Sequence, residues 1–368
     1  VTRRIDLALA FAVLAGAAAL ALPAGDGWSG WSLALWLVML GASAALLLRT
    51  WPAAAAAALA LLGSGAGAVA LYAPIAAGAR GFDAPGLWLG VAALAALVWR
   101  ALERSATAGA ASRAPALALA APVLFGIWLV YLWQVATVGF DIPSVLLPPP
   151  SQIAAVLAGS LGVLGEDFVQ TFVKSMIPGY VIGCGSGFLV AVLIDRVPFL
   201  QRGLLPVGNL ASALPIVGIA PIMVMWFGFD WPSKAAVVAI MTFFPMLVNT
   251  LAGLSALGRV ERDLMRSYGA GYGETLLHAR LPAALPFIFN GLKVNSTLAL
   301  IGAIVAEFFG TPIHGMGFRI SAGVGRMDIA LVWATIVVAA VTGSATYGLL
   351  AGLERRLTFW HPSFRKGS

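Results

Sequence analysis

The sequence predicts an all-α, polytopic membrane protein of about ten transmembrane helices, each of ~20 residues. Three observations carry that prediction. Of 368 residues, 61% are hydrophobic and only 10% are charged, against roughly a quarter charged in an ordinary soluble domain. The mean hydropathy is +0.95. Basic residues gather at alternate boundaries of the apolar runs, which is how the cytoplasmic ends of spans are marked. The net charge of +7 therefore reports topology rather than nucleic-acid binding. A single cysteine, Cys184, and the scattered His278, His314 and His361 make neither an internal disulfide nor a metal-ligand spacing. No cofactor is expected in this chain.

The first apolar run is Leu7 to Pro23. Arg3 and Arg4 before it and Ala24-Gly25 after it also fit a cleaved secretory signal. Further apolar runs follow at once, so a first membrane helix with its basic end in the cytoplasm is the better reading. Val1 reads as a literally translated alternative start codon. Ser32 to Leu48, Pro52 to Ala73 and Gly86 to Trp99 are the next three spans. Arg49 and the group Arg100, Arg104 and Arg113 fall at inner boundaries, whereas Asp26, Arg80 and Asp83 fall at outer ones. None of these four spans carries an ionisable residue at its middle, which marks scaffold rather than pathway.

Leu102 to Ala114 is polar and rich in small residues and reads as a linker. It divides the chain into an accessory unit of about four helices, residues 1–110, and a core of about six, residues 111–368. The core opens with the span Ala116 to Val138. Pro143, Pro148, Pro149 and Pro150 then forbid helix, and Ser151 to Leu164 is amphipathic and lies along the outer surface. The remaining spans are Thr171 to Ile194, Leu204 to Phe227, Lys234 to Leu251, Leu285 to Phe308 and Ile329 to Leu350. Pro215 and Pro221 make the seventh irregular, which requires neighbouring helices to satisfy the freed carbonyls. With ten spans both termini are cytoplasmic. Of the 22 basic residues only Arg80, Lys174, Lys234, Arg319 and Arg326 then fall outside.

Between the eighth and ninth spans, Ala252 to Ala284 is unlike the rest of the chain. Arg259, Glu261, Arg262, Asp263, Arg266, Glu274 and Arg280 are interleaved with Leu264, Met265, Tyr268, Leu276 and Leu277, as on two short amphipathic helices broken at Gly269 to Gly273. An interfacial loop is often charged and amphipathic with no further role. The spacing points instead to a helix-turn-helix lying across the inner face and offering its turn to a groove on a soluble partner.

The run Asp263 to Pro282 resembles the cytoplasmic coupling motif of bacterial ABC importer permeases, Glu-Ala-Ala, three residues, Gly, nine residues, Ile, one residue, Leu-Pro. Gly269, Leu281 and Pro282 match. Asp263 stands for Glu, Leu264 and Met265 for the two Ala, and Ala279 for Ile. Pro215 to Gly228, Phe244 to Thr250, Leu281 to Lys293 and Leu146 to Gln152 also look like the nitrate, sulfonate and taurine branch of that family. The similar region covers about residues 115 to 360. The resemblance implies a permease subunit in the bacterial inner membrane that pairs with a second copy. Separate cytoplasmic ATPase subunits would use ATP and Mg, and a periplasmic solute-binding protein would deliver a sulfonate, taurine, nitrate or similar solute. It further implies a coupling segment over 255–282, in which Gly269 turns the chain, Arg266, Ser267, Tyr268 and Ala270 meet the ATPase, and Pro282 ends the element. The chain itself contains no G-x-x-x-x-G-K-[ST] phosphate loop, so ATP chemistry belongs to another chain.

Within the ninth span, Glu307 is the one deep carboxylate; it either reaches water or Arg319 at the outer end, or joins the pathway. Lys293, Asn295, Ser296 and Thr297 bring polarity to the inner half, for interhelical hydrogen bonds or for solute. Asn249 and Thr250 have the same ambiguity, and Lys293 has lipid headgroups as a further partner. His314, Arg319 and Arg326 in the outer loop are solvated or contact the delivering protein. The rival reading, an ion-coupled secondary transporter, calls for buried polar groups in corresponding halves, and the first half offers none. A membrane-embedded enzyme lacks H-E-x-x-H and any paired carboxylates within the spans.

Overall fold

A computed structural model describes residues 6–21, 30–48, 52–76, 78, 81, 84–111, 115–197, 199, 215–310 and 313–360. Arg3, Arg4, Ala24, Gly25, Asp26, Arg49, Arg80, Asp83, Arg113, His361 and residues 204–214 of the seventh span lie outside the described residues. All regular structure among the described residues is helical. Eight of the described helices are long and apolar enough to cross a membrane. The expected first and seventh spans appear as the shorter helices α1 (Leu7–Ala21) and α9 (Ile216–Phe227).

The chain divides into two compact units, Val1–Gln152 and Ile153–Ser368. The first holds α1, α2 (Gly30–Leu48), α3 (Ala53–Ala76), α4 (Pro85–Ala111) and α5 (Pro115–Gly139). Within it α5 packs on α4 and α3. Trp36, Met39, Leu71, Leu87, Leu94 and Leu97 form its core. Two polar tips are satisfied across helices, where the Trp36 indole donates to the Gly16 carbonyl at 2.9 Å and the Tyr131 hydroxyl to that of Ala68 at 2.9 Å. Such pairing is what an aromatic with a polar end needs in a dry interior.

In the second unit, α6 (Pro150–Gly159) leads to α7 (Leu161–Phe168), which runs without a break through a π-helical turn, Val169–Met176, into α8 (Ile177–Asp195). A second π-helical turn, Leu276–Arg280, separates α12 (Tyr272–Thr275) from α13 (Leu281–Glu307). Each wide turn precedes a proline, Pro178 and Pro282, and contains the carbonyl four residues earlier that the proline can neither bond nor approach. The sixth span therefore begins earlier than Thr171, at Leu161.

Packing centres on α10 (Trp231–Ser255), flanked by α8 and α13. Gly179, Gly183 and Gly187 lie one turn apart on α8. An added Cβ on Gly179 would come within 2.5 Å of the Ala235 carbonyl, and one on Gly183 would be equally close to the Ala239 carbonyl. At Gly187 it would collide with the carbonyl of Phe243. Small residues at this spacing let two backbones touch, the usual device for helix association where burial from water supplies no drive. α9, α14 (Met316–Gly325) and α15 (Ile329–Leu357) complete the unit around α10 and α13.

Candidate functional site

The segment between α10 and α13 folds as two limbs about a tight turn. α10 stops at Ser255, whose hydroxyl bonds back to the Leu251 carbonyl at 2.9 Å. Gly258 then opens α11 (Arg259–Ser267), none of whose residues is buried. The helix ends in a left-handed residue, Gly269, with φ +69°. The Gly269 N–H donates to the Arg266 carbonyl at 2.9 Å and the Ala270 N–H to that of Met265 at 3.0 Å. These two bonds form the Schellman ending, which satisfies the last carbonyls of a helix and requires a residue with no Cβ penalty at positive φ. The turn expected at Gly269 is thus present.

Around it, Asp263 and Arg266 lie 3.8 Å apart and are largely in solvent. The Ser267 hydroxyl donates to the Leu264 carbonyl at 2.7 Å. Tyr268 is 79% exposed, with a large apolar ring that nothing in the unit covers. Asp263, Arg266, Ser267, Tyr268, Gly269 and Ala270 are therefore brought together as one protruding tip. Leu281 and Pro282 lie elsewhere, at the root. Leu281 packs against a cluster containing Cys184, Met246, Leu254 and Ile288. Pro282 lines an apolar groove of about 690 Å³ with Val181, Phe188 and Leu292.

Sequence reasoning missed what holds that root. Asp195, the last residue of α8, receives two parallel bonds from Arg280, at 2.5 and 2.7 Å. It takes a third from the Tyr272 hydroxyl at 2.9 Å. Arg280 also donates through Nε and Nη2 to the Leu254 carbonyl, at 3.1 and 3.0 Å. Arg196 lies over the Tyr272 ring, 4.5 Å from its centroid. The available signal was an acid, Asp195, closing a long apolar run just before Arg196.

Three of the four residues proposed for the pathway are tied to neighbouring elements, and the fourth, Ser296, bonds within its own helix. Lys293 meets Glu354 of α15 at 2.6 Å, both largely buried. Asn295 donates to the Thr242 carbonyl at 2.9 Å and to Cys184 Sγ at 3.3 Å, while its own oxygen is buried without a partner. Ser296 bonds to the Lys293 carbonyl within its own helix at 2.7 Å. Glu307 is 2% exposed and accepts from the Thr171 hydroxyl and from the Gly317 N–H at 2.7 Å. Arg319, a suggested partner for it, pairs instead with Asp167, at 2.7 and 3.1 Å. Asp167 also accepts from the Gly315 N–H at 2.7 Å. The π-helical turn, the end of α13 and the start of α14 are thus knotted at one end of the unit. Lys234, on α10, is buried and donates to the carbonyls of Phe229 and Asp230 at 2.5 and 3.3 Å. Asn249, by contrast, is only partly covered, and its side-chain oxygen accepts from exposed Asn290 at 3.2 Å.

Residues 179–359, which contain the tip, the root and most of the packed helices, match the family described as binding-protein-dependent transport system inner membrane component. A riboflavin transport system permease protein of Chloroflexus aurantiacus is 30% identical over 251 residues, 68% of this chain and 92% of that protein. A formylaminopyrimidine transport permease protein of Halalkalibacterium halodurans is 29% identical, over 65% of this chain and 95% of its own length. The taurine transport system permease protein of Escherichia coli is also 29% identical, over 65% and 87% respectively. The chain belongs to the binding-protein-dependent inner membrane components and is the transmembrane permease subunit of an ABC importer.

Proposed function

We propose that the tip from Asp263 to Ala270 seats in a groove of a separate cytoplasmic ATPase subunit, which uses ATP and Mg, and that the limb ending at Leu281 and Pro282 carries its motion into the membrane. The observation that supports this most directly is α11 itself, a charged helix with no buried residue, ended by a left-handed glycine beside the exposed Tyr268. A protruding turn with an uncovered aromatic fits a partner groove. On this reading the protein works as a homodimer in the bacterial inner membrane with both termini in the cytoplasm. A periplasmic solute-binding protein hands it a small solute, a sulfonate, taurine, nitrate or a heterocycle of the kind named for its relatives.

Residues 111–368 form the importer core on this reading, and residues 1–110 are accessory. Lys293, Asn295, Ser296 and Glu307 are proposed as pathway residues only for a state in which α13 has parted from its neighbours, since here Lys293 is bonded to α15, Asn295 to α10, Glu307 to the π-helical turn and α14, and Ser296 is buried within its own helix. The experiment is site-specific cross-linking from Tyr268→Cys in cells that also produce the ATPase. A cross-link to the ATPase supports the seat. Labelling of Tyr268→Cys by an impermeant thiol reagent added from the periplasm rejects it.

A further inference from the structure

We infer that Asp195, Arg280 and Tyr272 form the joint through which the coupling segment drives α8 and α10, with Asp195 and Arg280 as positioning residues of transport. The inference rests on the coupling role proposed for the tip. The contrast between tip and root carries it. No residue of α11 is buried, so that limb can follow a partner. The return limb is held where it meets the bundle. Asp195 is 3% exposed at its side chain, and its two oxygens receive both Arg280 bonds and the Tyr272 hydroxyl. A two-bond fork between guanidinium and carboxylate fixes orientation as well as distance.

The same guanidinium bonds the Leu254 carbonyl near the end of α10, so a single side chain grips two helices. Those two helices touch backbone to backbone through Gly179, Gly183 and Gly187. A push on the return limb is therefore delivered to a stiff pair of helices, not absorbed by a hinge at Arg280. Beside the joint, a cavity of about 420 Å³ lined by Asp195, Ser255, Arg262, Thr275 and Arg280 leaves the tip-side limb room to move against it.

The test uses the full permease with its ATPase subunits in nanodiscs, with a spin label on Val181→Cys, an exposed position on α8. The distance between the labels of the two copies is measured without nucleotide and with ATP, Mg and vanadate. In Asp195→Asn and in Arg280→Lys the ATPase stays bound and hydrolysis continues, while most of the nucleotide-driven distance change is lost. A full distance change in Asp195→Asn overturns the joint. Dissociation of the ATPase from Asp195→Asn also overturns it, since that marks a purely structural clasp. If Asp195→Asn does not accumulate, Arg280→Lys decides by the same two outcomes. A parallel Gly269→Val variant separates the two readings. If it keeps both ATPase binding and the distance change, the role of the tip falls, and Asp195→Asn still decides the joint.

Discussion

The Thr171 hydroxyl lies 2.8 and 3.0 Å from the two carboxylate oxygens of Glu307, joining residues far apart in sequence at a fully buried point. The same hydroxyl accepts the Met316 N–H at 2.7 Å, so one threonine closes contacts among the π-helical turn, α13 and α14. Replacing it with valine keeps the shape and leaves a buried carboxylate short of a donor. Thr171→Val is expected to lower stability by about 1.5–3 kcal/mol, the worth of a hydrogen bond to a charged group. Thermal unfolding in detergent measures it, and an unchanged midpoint counts against the knot.

The Lys293–Glu354 pair leads to a cycle of variants. Lys293→Met alone leaves Glu354 largely buried and uncompensated, at a cost of roughly 3–5 kcal/mol. Adding Glu354→Gln removes the stranded charge and should recover most of that loss. If Lys293 instead serves an anionic solute in this state, the single and double variants will be equally stable and differ only in transport.

Two glycines on α8 provide an internal control. Gly183 faces the Ala239 carbonyl and the Thr242 hydroxyl, whereas nothing lies within 4 Å of a Cβ added at Gly185. Gly183→Ala is expected to lose about 1–3 kcal/mol through overpacking, and Gly185→Ala to lose none. Parallel unfolding curves decide. Equal curves would mean that α8 and α10 are not in backbone contact.

Gly269→Val places a β-branched residue at φ +69° with open space around it. The strain is local, about 1–2 kcal/mol for the left-handed conformation, and lies on an exposed turn. Membrane abundance should stay near wild type while ATP-driven uptake collapses. Normal uptake at normal abundance contradicts the assigned role.

Much of this was legible in the chain because hydropathy and charge act locally. The turn at Gly269 was implied by the resemblance to the coupling motif and agrees with a glycine's backbone freedom, and the apolar runs fall where the long helices are. What escaped was set by contacts between distant segments. Arg319 looked like a partner for Glu307 because both belong to the same outer end, yet Asp167, on the far side of a π-helical turn, takes it. Asp195 and Tyr272 gave no periodic signal; their meaning comes only from where Arg280 reaches. The choice for Lys293 among interhelical bonds, solute and lipid headgroups stayed open because Glu354, on another helix, is invisible from its surroundings in the sequence.

Leu161 to Asp195 is one uninterrupted helix of 35 residues, about 50 Å long at 1.5 Å per residue. The oily layer it crosses is roughly 30 Å thick. Asp167 near one end is fastened to Arg319, and Asp195 at the other is fastened to Arg280. A strut anchored at both extremities has no slack: whatever tugs on the foot at Asp195 must be felt, in the same stroke, at the foot at Asp167.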